Sequence, residues 1–229
     1  MKVSLAIGRH DLTPGQLEQL ELVLRMLDAD EHAPTAVREP ARAADIHLND
    51  SLSALELETV RRARRVADLG SGAGFPGIAL AVALPDAEVS LIESQRRRCE
   101  FLQRVCDFAK VENARVIWTR AEEWREGSSA NDVVVARALG PAPVVLEYAA
   151  PLLRLGGSLV DWRGMRGQQE EDAATRAAAE LGLRQVEVRR VEPYAGARDH
   201  HLHVYLKTRA TPAGFPRRAG MARKRPIGS

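Results

Sequence analysis

The chain has 229 residues, with 33 Lys+Arg against 31 Asp+Glu and a formal net charge of +2. A composition of 45% hydrophobic and 28% charged residues is that of an ordinary globular domain, which excludes disorder as the main state. Cys99 and Cys106 alone exclude a disulfide scaffold, and the longest apolar run, 78–84, is too short to cross a bilayer. The opening residues MKVSLAIGRHDL lack the apolar core of a signal peptide, so a cytoplasmic location is expected.

The first sixty residues read as a small helical cap. Thr13-Pro14 supplies an N-cap followed by proline at the first helical position, and Leu17, Leu20, Leu24 and Leu27 recur at helical spacing. Pro34 and Pro40 interrupt the chain, and a second helix is expected over about 43–64. The period then changes. Strands are expected at 66–69, 88–93, 115–118, 132–137, 158–161, 185–191 and 202–207. Helices are expected at about 76–84, 96–110, 142–153 and 170–181. Strands alternating with helices imply an α/β domain over 61–208, with a mainly parallel seven-stranded sheet covered on both faces. The last two strands have no helix between them and should pair antiparallel.

Residues 209–229 form a basic tail. With Arg209, Arg217, Arg218, Arg223, Lys224 and Arg225 and no acid, it carries +6 and leaves the rest of the chain at −4. Such a tail serves either solubility or contact with a polyanion. It reads as separable from the body, so its deletion is expected to leave small-ligand affinity intact.

The first strand runs into Asp68-Leu69-Gly70-Ser71-Gly72-Ala73-Gly74-Phe75-Pro76-Gly77. Glycines serve where backbone turns sharply and lies against a ligand. Gly72 to Gly77 fits the dinucleotide pattern G-x-G-x-x-G, and Glu93 follows 21 residues after Gly72, near the expected ribose-binding acid. An NAD-dependent oxidoreductase is therefore one reading. An acid inside the strand end and leading glycines at 70, 72 and 74 look instead like the first motif of the class I methyltransferases, which bind S-adenosylmethionine. Asp68 then either faces the cationic groups of that ligand or accepts from backbone N–H groups of the loop. Glu93 suits both ribose hydroxyls.

These residues resemble the bacterial 16S rRNA guanine-N7 methyltransferases, the glucose-inhibited division protein B family, from about residue 45 onward. The resemblance rests on HLNDS at 47–51, DLGSGAGFPGI at 68–78, RAEE at 120–123, Ala136-Arg137-Ala138 and FPRRAGMARKRPI at 215–227. It implies a Rossmann-like class I fold and S-adenosylmethionine contacts at Gly70, Gly72, Phe75, Glu93, Ala121, Glu122 and Arg137. It also implies 16S rRNA or the small ribosomal subunit as partner. Two positions depart from the family: His200 stands where an Arg is usual, and Arg163 where a Lys is.

Guanine N7 attacks with a lone pair already present, so such an enzyme needs no general base and mainly orients two reactants. Cys99 and Cys106 lie away from the end of the fourth strand and read as small core or surface residues. The segment 136–140 lacks the Asn-Pro-Pro-Tyr-like signature of exocyclic amino methylation. Arg137 lies where the methyl group should point and is expected to hold the cofactor carboxylate or an RNA phosphate, as the residue most needed for turnover; the bland reading is a salt bridge at the sheet edge. No metal set is expected: His201 and His203 share a strand face without a third ligand. Trp118, Trp124 and Trp162 are expected in the core, with base stacking as the sharper option. A non-catalytic RNA-binding module remains a third reading, and a monomer is favoured.

Overall fold

In the computed structural model, residues 10–37 and 39–228 are described. The first helix, α1 (Pro14–Ala29), starts as its sequence requires: the Thr13 hydroxyl accepts from Gln16 N, and Gln16 Oε1 accepts from Thr13 N, a reciprocal cap. Its apolar stripe is fully enclosed at Leu20, Val23, Leu24 and Leu27. Each such side chain contributes roughly 1.5–3 kcal/mol on leaving water.

The helix expected over 43–64 is instead a broken series, and this is the main correction to the elements read from sequence. It comprises α2 (Pro40–Ala43), a π-helical turn (Ala44–Asn49), α3 (Asp50–Leu52), a 3-10 turn (Ser53–Glu56) and α4 (Glu58–Arg61). The cause lies in where its carbonyls go. Arg137 Nη1 donates to Ile46 O, Trp162 Nε1 to Asp50 O, Ser51 Oγ to His47 O and Ser53 Oγ to Asp50 O. Side-chain donors, two of them from distant strands, thus occupy acceptors of the helical ladder, and the segment adapts around them.

The sheet follows the expected alternation: β1 (Arg65–Leu69), α5 (Gly77–Ala83), β2 (Glu88–Glu93), α6 (Arg96–Ala109), β3 (Ala114–Trp118), β4 (Asn131–Arg137), α7 (Ala142–Ala149), β5 (Leu153–Arg163), α8 (Gln168–Leu181), β6 (Leu183–Val191) and β7 (His200–Lys207), with a final turn of helix, α9 (Met221–Lys224). The strand read as 158–161 runs over eleven residues, because its first part pairs with Asn131 across a register shift. Strand order is β3-β2-β1-β4-β5-β7-β6, with β7 antiparallel to both neighbours and the β1–β5 pairings parallel. A dinucleotide-binding sheet of order 3-2-1-4-5-6 has no such inserted antiparallel strand. The chain therefore has the mixed seven-stranded architecture of the class I methyltransferases.

Side chains alternate between two cores. Val66, Val89, Val133, Val135, Val160 and Val204 face α1, α5, α6 and the helical cap, so cap and sheet share one hydrophobic core. Ala67, Leu69, Val134, Ala136, Leu159 and Tyr205 face α7 and α8. Residues after β7 do not trail into solvent: Ala222 is enclosed in the second core, with Phe215 and Ile227 packed against it. Among the described residues no helix is long and apolar enough to cross a membrane.

Candidate functional site

Because the chain runs outward from β1 in one direction and from β4 in the other, the two strands part at their C-terminal ends and leave a crevice. A cavity of about 390 Å³ lies there, lined by Gly70, Glu93, Gln95, Ala121, Glu122 and Leu139 among others. Four residues expected to hold a cofactor, Gly70, Glu93, Ala121 and Glu122, meet in this wall. Gly70 and Gly72 adopt φ of +69° and +55°, backbone that disfavours any side chain.

Asp68 sits under the loop, 1% exposed, with Oδ2 accepting from Gly77 N at 3.1 Å. A Cβ at Gly77 would collide with that carboxylate and with Leu91, so the glycine allows the strand and the helix start to close on each other. The second oxygen, Oδ1, is buried without a hydrogen-bond partner. Burial raises the Asp68 pKa to about 6, against the pull of the nearby Ser71 hydroxyl, which itself donates to the Asp68 backbone carbonyl, and of the Gly77 N–H. An orphaned carboxylate oxygen beneath a glycine loop fits a cationic ligand group, which would give it the missing partner.

Glu93 is 3% exposed and held on both oxygens, Oε2 by Gly72 N at 3.2 Å and Oε1 by Gln95 N at 2.9 Å, with Arg98 at 3.7 Å. Ser94 Oγ also donates to Oε1, at 3.4 Å, so Oε2 keeps the lone pair most open to a hydroxyl at the cavity. Gly72 thus serves the site by fixing Glu93. Glu122 Oε1 accepts from Gly220 N at 3.0 Å.

Gly72, Phe75 and Arg137 are absent from the wall of that cavity. Arg137 points to the cap, with Nη1 donating to Asp50 Oδ2 at 2.8 Å and to Ile46 O at 3.0 Å. The other oxygen of Asp50 meets His200 Nδ1 at 2.9 Å. Phe75 stacks on His47 with centroids 4.9 Å apart, and the Arg137 guanidinium lies 5.9 Å from its ring. Burial, then Arg137, lowers the His47 pKa to about 4, so the ring is neutral at pH 7. Arg137 can only donate, so His47 Nδ1 accepts and its Nε2–H donates to Thr35 Oγ1 at 2.9 Å. The sequence did not signal Asp50 as a hub, although it lies inside the HLNDS block. Its three ties reach residues 87 to 150 positions away.

Behind the loop after β4 lies a second polar group that no motif announced. Arg163 Nε donates to Asp161 Oδ2 at 2.6 Å and Nη2 to Gly140 O, tying the end of β5 to the segment 138–141. Burial raises the Asp161 pKa to about 6, opposed by Arg163. His201 and His203 do share a face, with ring centroids 6.3 Å apart. The buried Arg166 meets His203 Nδ1 and Tyr205 Oη. Cys99 and Cys106 are both buried, the core rather than the surface alternative. Trp162 is buried too, but Trp118 is 61% exposed at the edge strand, contrary to its expected core position.

The family model of rRNA small subunit methyltransferase G matches residues 16–202. The ribosomal RNA small subunit methyltransferase G of Synechococcus elongatus is 36% identical over 223 residues, covering 94% of this chain and 92% of that one. The protein of the same name from Syntrophomonas wolfei subsp. wolfei is 40% identical over 183 residues, covering 79% and 85%. Among solved structures, one described as a predicted O-methyltransferase from Agrobacterium tumefaciens superposes with a TM-score of 0.55 at 26% identity, covering 73% of this chain and 83% of its own. With the strand order and the glycine crevice, these likenesses place the chain in the rRNA small subunit methyltransferase G family.

Proposed function

We propose that the protein transfers a methyl group from S-adenosylmethionine to N7 of a guanine in the decoding-region loop of 16S rRNA. The observation that carries this reading is the crevice between β1 and β4, where the orphaned Asp68 oxygen and Glu93 flank a glycine loop. When bound, S-adenosylmethionine supplies an electrophilic methyl group on a sulfonium. The chain supplies places for its parts. Glu93, held by Gly72 N, would accept from the ribose hydroxyls, Ala121 and Glu122 would border the adenine, and Gly70 would let the backbone approach. Asp68 balances the cationic end from below.

No side chain has to remove a proton, because the N7 lone pair is free in the neutral base. The work of the protein is orientation and exclusion of water, worth several orders of magnitude in rate when geometry is right. Arg137 enters through its grip on Asp50 and Ile46, which seats the cap beside the methyl-transfer end of the crevice. Phe75 lies in the same contact. The rival oxidoreductase reading loses its support with the inserted antiparallel β7.

The test is to incubate the protein with methyl-labelled S-adenosylmethionine and either naked 16S rRNA or small subunits, then digest the RNA. Label is expected in 7-methylguanosine from one of the two substrates. Label in neither, with the protein folded, overturns the reading.

A further inference from the structure

The basic tail of the sequence is a strap, and its contacts reach the cofactor crevice. Its firmest anchor is Arg217, whose Nε donates to Glu147 Oε1 at 2.8 Å and Nη2 to Oε2 at 2.5 Å. Glu147 lies on α7 and is fully buried, so this two-pronged grip is geometrically specific and shielded on one side. The Nη2 group also donates to Arg225 O at 2.8 Å, which folds the strap back on itself. Ala222 enters the core between α7 and α8, and Arg176 on α8 holds Gly228 O at 2.9 Å.

Between these anchors the strap passes the cavity. Gly220, with φ of +81°, turns its N–H onto Glu122 Oε1 at 3.0 Å. Arg223 Nη2 donates to Leu139 O at 3.0 Å and lines the cavity together with Glu122, Leu139 and Tyr148. One contact fixes the acid after β3 and the other fixes the segment after β4. Those two segments line the same cavity as Glu93, which holds the ribose under the proposed function.

We propose that the strap is a wall of the cofactor cavity, with Gly220 and Arg223 as positioning residues for the adenosyl group, so that strap docking and adenosyl-ligand binding favour each other. The other walls come from strand ends and the segments after them and from Arg98 and Tyr148 on α6 and α7, all part of the sheet and the helices packed on it. This one arrives from about eighty positions further along the chain, held mainly by polar contacts. Segments held in this way open at low cost. A ligand that packs against a docked strap therefore stabilises the docked state, and by linkage the docked strap raises affinity for the ligand by the same factor. The six cations of the tail then divide. Arg217 grips the buried Glu147, Arg209 donates to Ala179 O, and Arg223, itself largely exposed, donates to Leu139 O and lines the cavity, while Arg218, Lys224 and Arg225 are exposed. The strap thus presents charge to a polyanion on its outside and closes the crevice on its inside.

The inference rests on the proposed cofactor, and its test separates the two. Binding of S-adenosylhomocysteine to the full chain is measured by calorimetry for the wild type, Arg223→Ala and Lys224→Ala, with the thermal midpoint of each as a folding control. The two variants remove the same charge from neighbouring positions. Arg223→Ala is expected to weaken binding by about tenfold, within the usual range of coupling between sites, and Lys224→Ala by less than about twofold. The reciprocal measurement is trypsin cleavage within 215–225 followed by mass spectrometry. Saturating S-adenosylhomocysteine is expected to slow that cleavage several-fold in the wild type and not in Arg223→Ala. Equal affinities in wild type and Arg223→Ala, or a cleavage rate indifferent to ligand in the wild type, would overturn the coupling while leaving the proposed cofactor intact. A folded wild type that binds no S-adenosylhomocysteine would remove both.

Discussion

The cap and the strap, two segments from opposite ends of the chain, both close onto the C-terminal edge of the sheet, one on each face. They hold by different physics. The cap contributes Leu20, Leu24, Leu27, Leu48 and Leu52, all fully buried, and shares a core with buried residues of six strands. Its polar centre, Asp50, is an addition to packing that would hold without it. The strap buries one alanine and leans two partly exposed residues, Phe215 and Ile227, against the second core. The rest is charge pairing and hydrogen bonding, with Arg217–Glu147 at its centre. The difference teaches that the cap is part of the cooperative fold, while the strap is a layer with its own smaller stability.

The largest expected effect comes from removing the polar centre of the cap. Asp50→Ala leaves Arg137 and Trp162 in place but strips the carboxylate from a guanidinium that is mostly enclosed. Breaking one side of a buried pair costs about 3–5 kcal/mol, and because the cap shares the main core that cost should appear in global unfolding by denaturant. Arg217→Ala should behave otherwise. A strap that loses its grip peels away and lets Glu147 rehydrate, so the loss is capped near the docking energy, about 2 kcal/mol. Faster proteolysis within 215–225 with a nearly unchanged global midpoint is the expected pattern. A global loss as large as that of Asp50→Ala would erase the distinction between the two segments.

The contrast also explains what could be read from the sequence. Apolar recurrence announced α1 and all seven strands, because burial against a sheet imposes a period that the residues themselves display. The break of the second helix was illegible, since its cause is Arg137 and Trp162 reaching Ile46 O and Asp50 O from strands about ninety or more positions away. At the site, Gly70, Glu93, Ala121 and Glu122 were legible because each lies at or within four residues of a strand's C-terminal end, and those ends gather at the crevice. Arg137 was legible as important but not as a partner of Asp50. The tail was legible only as a sum of charges. Six basic residues look alike in composition, and only the fold shows Arg217 spent on a buried glutamate and Arg223 turned to the crevice. The expectation that deleting the tail spares small-ligand affinity and the proposed strap wall predict opposite results for that deletion.

The last prediction separates the two ends of the crevice by pH. Asp68 has a pKa raised to about 6, with burial as the first cause. Above that value the group is a carboxylate and attracts a cationic ligand; below it the protonated acid does not. Affinity for S-adenosylmethionine is therefore expected to fall as pH drops through about 6, approaching tenfold per pH unit if one proton is linked. The sign for stability is opposite. An acid whose folded pKa lies above its unfolded value favours folding when protonated, so the ligand-free protein loses stability from this group as pH rises from about 4 to about 6. Adenosine carries neither the sulfonium nor the ammonium, and it engages only the end bordered by Glu93 and the strap. Its affinity should show no such fall. Calorimetric titration of both ligands across this range reads the difference directly. Parallel curves would mean that Asp68 serves only to hold Gly77 N, and that the cationic end of the cofactor finds its counter-charge elsewhere.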